Sequence, residues 1–226
     1  MTQPPNLYHS LDDLPPSARG SLLAIGNFDG VHLGHQAVIE NARAEADAGN
    51  HPLGVMLFNP HPRQFFAPDA PAFRLTRLPT RARLLAGLGV DFTLALPFDT
   101  NMANCTADEF IDRILIGALN ISGVSIGHDF HFGKGRQGTP DMLQQRGAAA
   151  GFDVFITSAV VQADGQTPYS SSAIRALLRD AKVREAATLM GHDWIIEGTV
   201  QHGDKRGRTI GFPTANMELG DYLQPA

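Results

Sequence analysis

Residues 21–48, "SLLAIGNFDGVHLGHQAVIENARAEADA", decide how the rest of the chain is read. The segment 21–28 opens with an unbroken apolar run, which suits a strand buried on both faces of a parallel sheet. The chain then turns through Asp29-Gly30, and residues 36–48 read as a helix that Gly49 stops. At the junction sit two histidines three apart, His32 and His35. Strand, polar turn and helix in this order form one unit of an α/β fold, and the turn falls where such folds hold their ligands.

Working outward, the same unit recurs. Residues 52–58 ("PLGVMLF"), 90–98 ("VDFTLALPF"), 123–127 ("GVSIG") and 153–161 ("DVFITSAVV") read as strands. Between them, residues 80–89, 106–119 and 139–151 read as helices. The clearest is 106–119, where Thr106 and Glu109 make a capping-box pattern and Phe110, Ile111, Ile114, Leu115 and Ala118 form one apolar stripe. Residues 139–151 open with Thr139 as N-cap and Pro140 at the first helical position. Two further helices follow at 171–180 and 183–190. Strand–helix alternation from 21 to about 165 predicts an α/β domain with a doubly wound, mainly parallel sheet. After residue 190 the texture turns to Gly, Thr and short strand-like pieces without a helical period. The expectation is one α/β domain over 1–190 and the beginning of a small β-barrel domain over 191–226. The latter is too short to close by itself and is expected to be a fragment of a longer protein.

The bulk numbers narrow the class of function. The chain has 226 residues, 43% hydrophobic and 18% charged, with net charge -5 and no long basic run. Polymeric nucleic acid is therefore not the expected partner, while a small phosphorylated ligand is open. A single cysteine, Cys105, excludes a disulfide framework and a cysteine-rich zinc site and fits a cytoplasmic protein. No apolar stretch approaches the length of a membrane span, and the first twenty residues lack the pattern of a secretory signal.

A helix that starts at Gly34-His35 offers free backbone N–H groups and a positive dipole end to phosphate. Gly34 allows close approach, and His32 and His35 can donate hydrogen bonds as charge builds in a transition state. Zinc is the rival reading, because His128 and His131 repeat the spacing. A structural zinc site needs four ligands, and nearby sequence supplies no third and fourth. A second stretch with phosphate chemistry, "YSSSAIRALLRD" (169–180), lies near the end of the α/β region. Ser171 or Ser172 would cap its helix, and Arg175 adds a guanidinium one turn in. "LFNPHPRQFF" (57–66) ends a strand with the polar residues Asn59, His61 and Arg63. "IGHDFHFGKGRQG" (126–138) contains a GxGxxG pattern on the wrong strand for a dinucleotide fingerprint, and it fails as a phosphate-binding P-loop.

"GNFDGVHLGH" (26–35) is similar to the first signature of the HxGH nucleotidyltransferase superfamily. Its form resembles the FMN adenylyltransferase branch, the N-terminal module of bacterial bifunctional riboflavin kinase/FAD synthetases. Residues 170–175 resemble that family's SSTxxR signature, with Ser172 where Thr is usual. The resemblance implies transfer of AMP from ATP to FMN, with Mg²⁺ as cofactor and FAD and pyrophosphate as products. It implies His32, His35 and Arg175 as catalytic residues, with Gly26, Asn27, Phe28, Asp29, Gly34, Ser171 and Ser172 around ATP. Asn27 and Asp29 would orient His32 or bind the nucleotide. It further implies Asn59, Arg63, Asp129 and Phe130 at the flavin, the last two in a stretch that looks like the family's GxDFxFG loop. Residues 198–217, with "GFPTAN", resemble the riboflavin kinase signature, which implies Thr214 and Asn216 as ATP and magnesium contacts there. The rest of a kinase domain is missing from these residues, so phosphorylation of riboflavin is expected of a longer chain. The rivals are another HxGH-type nucleotidyltransferase, or a flavin- or nucleotide-binding module without turnover. The resemblance carries no expectation about oligomeric state.

Overall fold

The computed structural model describes residues 6–162, 164–201, 211 and 216–226. Its centre is a six-stranded sheet made of β1 (Leu7–Tyr8), β2 (Leu22–Ile25), β3 (Leu53–Asn59), β4 (Phe92–Pro97), β5 (Gly123–Gly127) and β6 (Asp153–Thr157). The strand order is β1-β4-β3-β2-β5-β6, and every pairing is parallel. The expected doubly wound α/β architecture is present. The two-residue β1 adds an edge strand that is too short to leave a periodic signal, and β6 ends at Thr157, short of the expected 161.

The helices are α1 (Leu33–Gly49), α2 (Pro62–Phe66), α3 (Leu78–Gly87), α4 (Thr100–Asn104), α5 (Ala107–Glu109), α6 (Pro140–Ala150), α7 (Ser171–Arg179) and α8 (Val183–Met190). Alternate residues of the central strands feed the two faces of the sheet. Leu23 and Ile25 of β2 join Met56, Leu94, Val124 and Ile126 on one face. Leu22 and Ala24 join Val55, Leu57 and Ala95 on the other, under Ile39, Ala42 and Ala46 of α1 and Ala82 and Leu85 of α3. That two-sided burial is why β2 and β3 read as continuous apolar runs.

Two local readings change. The Thr106 capping box forms as expected, but α5 gives way after three residues to a π-helix over Phe110–Ala118. Phe110, Ile111, Ile114 and Leu115 are still buried, while the wider turns leave Ala118 half-buried and bring Leu119 into the core in its place. Short α2 and α4, five residues each, went unpredicted because neither is long enough to show a helical period.

Past α8, β7 (Val200–Gln201) and β8 (Asn216–Met217) pair antiparallel as a separate two-stranded sheet. The described residues around it return to the α/β body. Tyr222 and Leu223 are buried, and Leu223 packs in a third apolar cluster with Leu75, Ile174, Leu178 and Met190.

Gly54 on β3 shows how tightly the central strands pack. A Cβ there would lie 2.3 Å from the Phe92 ring and 2.7 Å from Leu23 Cδ2. Overpacking at a site with no slack costs about 1–3 kcal/mol. Gly54→Ala is therefore expected to lower unfolding stability by that amount in denaturant titration, with the slope of the transition unchanged.

Candidate active site

Strand order reverses at β2, which runs beside β3 on one side and β5 on the other. Ligands of open parallel sheets sit outside the carboxyl ends of the strands at such a switch point. Here that point opens into a cleft of about 890 Å³, lined by the turns after β2, β3, β5 and β6 and by the start of α7. His32 and His35 lie in the turn after β2, at the reversal itself.

The turn is built under strain around one buried carboxylate. Phe28 has φ 48° and Val31 φ 41°, both in the left-handed region that bulky residues avoid. Asp29, 1% exposed, sits between them. Its carboxylate accepts hydrogen bonds from the backbone N–H of Leu75 (3.1 Å) and of Thr76 (3.0 Å). It also pairs with Arg81 Nη2 at 3.0 Å and Arg175 Nη2 at 2.7 Å. Burial alone would raise its pKa, but the two guanidiniums and two backbone donors outweigh that and hold it below the ordinary carboxylate value. Arg81 Nη1 further donates to the Asn27 carbonyl at 2.8 Å. Asp29 is thus saturated by protein donors, and its carboxylate has no capacity left for the nucleotide or for orienting His32.

His32 is the N-cap of α1, and its Nδ1 accepts from the His35 backbone N–H at 3.3 Å. Burial lowers its pKa to about 4, with Asp29 opposing. The ring is therefore neutral at pH 7, and with Nδ1 accepting, the hydrogen-bond pattern assigns its proton to Nε2. His35 stacks on it with ring centroids 3.6 Å apart, edge-on to Phe28 at 5.3 Å. Burial, then the neighbouring His32, pushes the His35 pKa well below the ordinary value. Two buried polar atoms of this turn have no hydrogen-bond partner, His35 Nδ1 and Asn27 Oδ1. Gly34 is closely packed, since a Cβ would lie 3.2 Å from the His32 ring and from Tyr169 Cβ.

The second motif meets the first at Asp29. Ser171 Oγ donates to the Asp29 carbonyl at 2.9 Å. Arg175 spends Nη2 on the Asp29 carboxylate and Nε on the Phe73 carbonyl at 2.8 Å. The α7 cap is Ser170, which accepts from the Ala173 N–H at 3.2 Å, and not Ser171 or Ser172. Ser172 lies outside the cleft lining. Neither α1 nor α7 has an acidic residue in its first turn, so both leave the positive end of the helix dipole to an external anion.

Of the residues that the resemblance assigns to the flavin, Arg63, Asp129 and Phe130 line the cleft, as do Gly26, Asn27 and Phe28 of those assigned to ATP. Asn59 does not, because its Oδ1 accepts from both Nη atoms of Arg74 at 3.2 Å. Two glycines of the 133–138 stretch, Gly133 and Gly138, serve packing. A Cβ at Gly133 would lie 2.6 Å from the Ala107 backbone nitrogen, and one at Gly138 2.6 Å from the Phe132 ring. Phe130 and Phe132 stack with ring centroids 5.6 Å apart. Asn216 is exposed on β8, away from the cleft, and Thr214 lies outside the described residues.

Sequence reasoning gave His61 no role and missed Phe73 and Arg81. His61 caps α2, its Nδ1 accepting from the Arg63 N–H at 3.0 Å, and burial lowers its pKa to about 4. Phe73 has the Arg63 guanidinium 4.8 Å and the Arg175 guanidinium 5.2 Å from its ring centre, with His61 edge-on at 5.1 Å. Arg81 is the second partner of Asp29. His61 was visible as a polar residue at a strand's end; Phe73 and Arg81 carry no local signal. Among the described residues, no group of three or more His, Cys, Asp or Glu side chains is arranged to hold a metal.

Asp29→Asn removes the charge that compensates two buried guanidiniums, and is expected to lower stability by about 3–5 kcal/mol in denaturant titration. The histidines set an acid limit as well. Between the ordinary histidine pKa and about 4, the unfolded chain binds protons that folded His32 does not, so stability falls as pH drops through that window. His32 alone accounts for about 3 kcal/mol of that loss. Melting curves from pH 7 to 4 are expected to fall less steeply for His32→Gln than for the parent chain.

Comparison with known proteins shows the family. A family model described as FAD synthetase matches residues 14–173, and one described as riboflavin kinase matches residues 190–226. A protein of Escherichia coli K12 described as bifunctional riboflavin kinase/FMN adenylyltransferase is 44% identical over 96% of this chain and 68% of its own length. Relatives described in the same words from Haemophilus influenzae and Listeria monocytogenes are 43% and 38% identical, over 92% and 90% of this chain and 67% and 64% of theirs. The chain thus spans about two thirds of the length of these relatives. A crystal structure from Streptococcus pneumoniae, described as a macrolide-efflux protein, superimposes with a TM-score of 0.83 at 32% identity, covering 97% of this chain and 71% of that one. Among the described residues no helix is long and apolar enough to cross a membrane. With one family model over more than half its residues and relatives of this identity and coverage, the chain belongs to the FAD synthetase family and carries part of a riboflavin kinase domain after it.

Proposed function

We propose that this chain transfers AMP from ATP to FMN, giving FAD and pyrophosphate. The observation that carries the reading is the pair of stacked, neutral histidines at the head of α1, facing the start of α7 across a cleft at the sheet's switch point. The FMN phosphate oxygen attacks the α-phosphorus of ATP as the bond to pyrophosphate breaks. The nucleophile is already an anion and needs no general base. Positioning and charge stabilisation supply the rate.

His32 donates from Nε2 to the α-phosphate, and His35, with its unpartnered Nδ1, completes the pair. Gly26, Asn27 and Phe28 frame the nucleotide at the end of β2. The leaving pyrophosphate is received by the first-turn backbone N–H groups of α7 and the remaining Nη1 of Arg175, the Ser171 hydroxyl being spent on the Asp29 carbonyl. Arg175 acts with one edge of its guanidinium, because the other groups are committed to Asp29 and Phe73. Arg63 and Arg136 add positive charge to the cleft. Exposed Phe66 and half-buried Phe98 and Phe130 offer a planar flavin an aromatic wall beside Arg63 and Asp129. Mg²⁺ fits this donor set as an ion held chiefly by phosphate oxygens, with the unpartnered Asn27 Oδ1 as its protein contact. When bound, it supplies neutralisation of phosphate charge. Residues 1–190 form the adenylyltransferase unit and 191–226 the opening of the kinase unit, where Thr214 and Asn216 belong to a separate ATP and magnesium site. Riboflavin phosphorylation is the second activity named for the relatives, of whose length this chain spans about two thirds. Small-molecule substrates in the cytoplasm are the expected setting.

Incubation with FMN and Mg-ATP, followed by chromatography, is expected to yield FAD. Product with CTP, or with nicotinamide mononucleotide replacing FMN, would point to another HxGH transferase, and binding without product to a module lacking turnover. His32→Ala and His35→Ala are each expected to slow FAD formation by on the order of 100-fold or more while ATP binding changes far less. Normal turnover in both variants would overturn the assignment.

A further inference from the structure

Arg74 is a nearly buried guanidinium, 7% exposed, that touches three separate segments. Both Nη atoms donate to Asn59 Oδ1 at the end of β3 (3.2 Å), and Nη2 also donates to Gln64 Oε1 of α2 at 2.9 Å. Its Nε lies 3.1 Å from Asp221 Oδ2 in the tail, an ion pair without the alignment of a hydrogen bond. The backbone joins the same segments: Arg74 N–H donates to the Asp221 carbonyl (3.2 Å), and Leu223 N–H to the Arg74 carbonyl (2.8 Å).

The tail is seated here by more than one contact. Arg77 Nε pairs with the other Asp221 oxygen at 3.0 Å, and its guanidinium lies 4.8 Å from the Tyr222 ring centre. Gly220, at φ 58°, makes room for it, since a Cβ there would lie 2.5 Å from Arg77 Nη2. On the far side of Arg74, α2 is a five-residue helix with no buried residue, whose Phe65 and Phe66 rings meet Phe98 edge-on at 5.4 and 5.7 Å. Yet α2 and its cap present His61, Arg63 and Phe66 to the cleft.

We propose that Arg74 is a positioning residue through which Asp221, in the segment matched to riboflavin kinase, sets α2 and with it the acceptor side of the adenylylation cleft. The proposal rests on the FMN adenylylation reading for its kinetic consequence, and on the chain of ion pair and hydrogen bonds alone for its structural one. The ATP side is held independently by Asp29, so the link acts on one substrate and not the other. The tail's occupancy of its seat thereby adjusts how well the acceptor is held.

The test uses the 226-residue chain and the variants Asp221→Asn, Asp221→Glu and Gln64→Leu. Asp221→Asn and Gln64→Leu are each expected to raise the KM for FMN by on the order of ten-fold, leaving kcat and the KM for ATP unchanged. Their double variant is expected to be no worse than either single one, because both cut one chain of contacts. Asp221→Glu is expected to restore the parent value. Equal changes in both KM values, no change in either, or additive effects would overturn the proposal. Should Asp221→Asn not fold, Gln64→Leu on the surface helix decides the matter. Hydrogen exchange over residues 61–67 is read in parallel and is expected to quicken in both single variants. If the parent chain makes no FAD, the functional reading fails by itself, and unchanged exchange at 61–67 would then separately overturn the tether.

Discussion

The carboxylate of Asp29 joins parts of the chain that are far apart in sequence. It binds Arg81 from α3, Arg175 from α7 and the backbone of Leu75 and Thr76, all within 3.1 Å. Three charges leave water together. Such a network is tolerated only when each charge finds partners, and removing one leaves the others stranded. Here the partners are complete, and the geometry of the site follows from them. Because Asp29 is anchored, Phe28 and Val31 are held at positive φ, and the turn delivers His32 to the cap of α1. Because Arg175 reaches the same carboxylate, α7 must start beside that turn, and Ser171 closes the gap at the Asp29 carbonyl.

The sheet supplies the second constraint. Placing β2 between β3 and β5 opens the cleft at the end of β2, so the strained turn and the switch point coincide. Around it the protein keeps three imidazoles uncharged by burial, His32, His35 and His61. A neutral imidazole whose Nδ1 is occupied offers one directed N–H, which suits a site meant to stabilise charge that appears during reaction. Arginines remain the cationic members, fixed by Asp29 and Phe73 before any ligand arrives.

Much of this was legible in residue order. Two-face burial of β2 and β3 left continuous apolar runs, and the Thr106 box, Thr139 and Gly151 marked helix ends where they are found. The histidine pair and the serine–arginine stretch were recognisable because phosphate chemistry restricts both residue type and spacing. Short elements were not legible. Leu7–Tyr8, Pro62–Phe66 and Thr100–Asn104 are held by neighbours and caps, and none spans enough residues to show a period. Asn59 and Ser172 look like ligand contacts by position, yet Asn59 is taken by Arg74 and Ser172 stands one residue past the serine that faces the cleft.

The sequence by itself determined the alternation of elements, the α/β class, the change of texture near residue 190 and the two phosphate motifs, because each is a local pattern of period, cap or spacing. Tertiary structure alone decided the strand order, the employment of Asp29, the division of Arg175 between protein and ligand, and the seat of the tail on Arg74 and Arg77. These depend on pairings between residues 30 to 149 positions apart. A buried charge takes whichever partner the packed chain brings within about 3 Å, and no local pattern announces which one that will be.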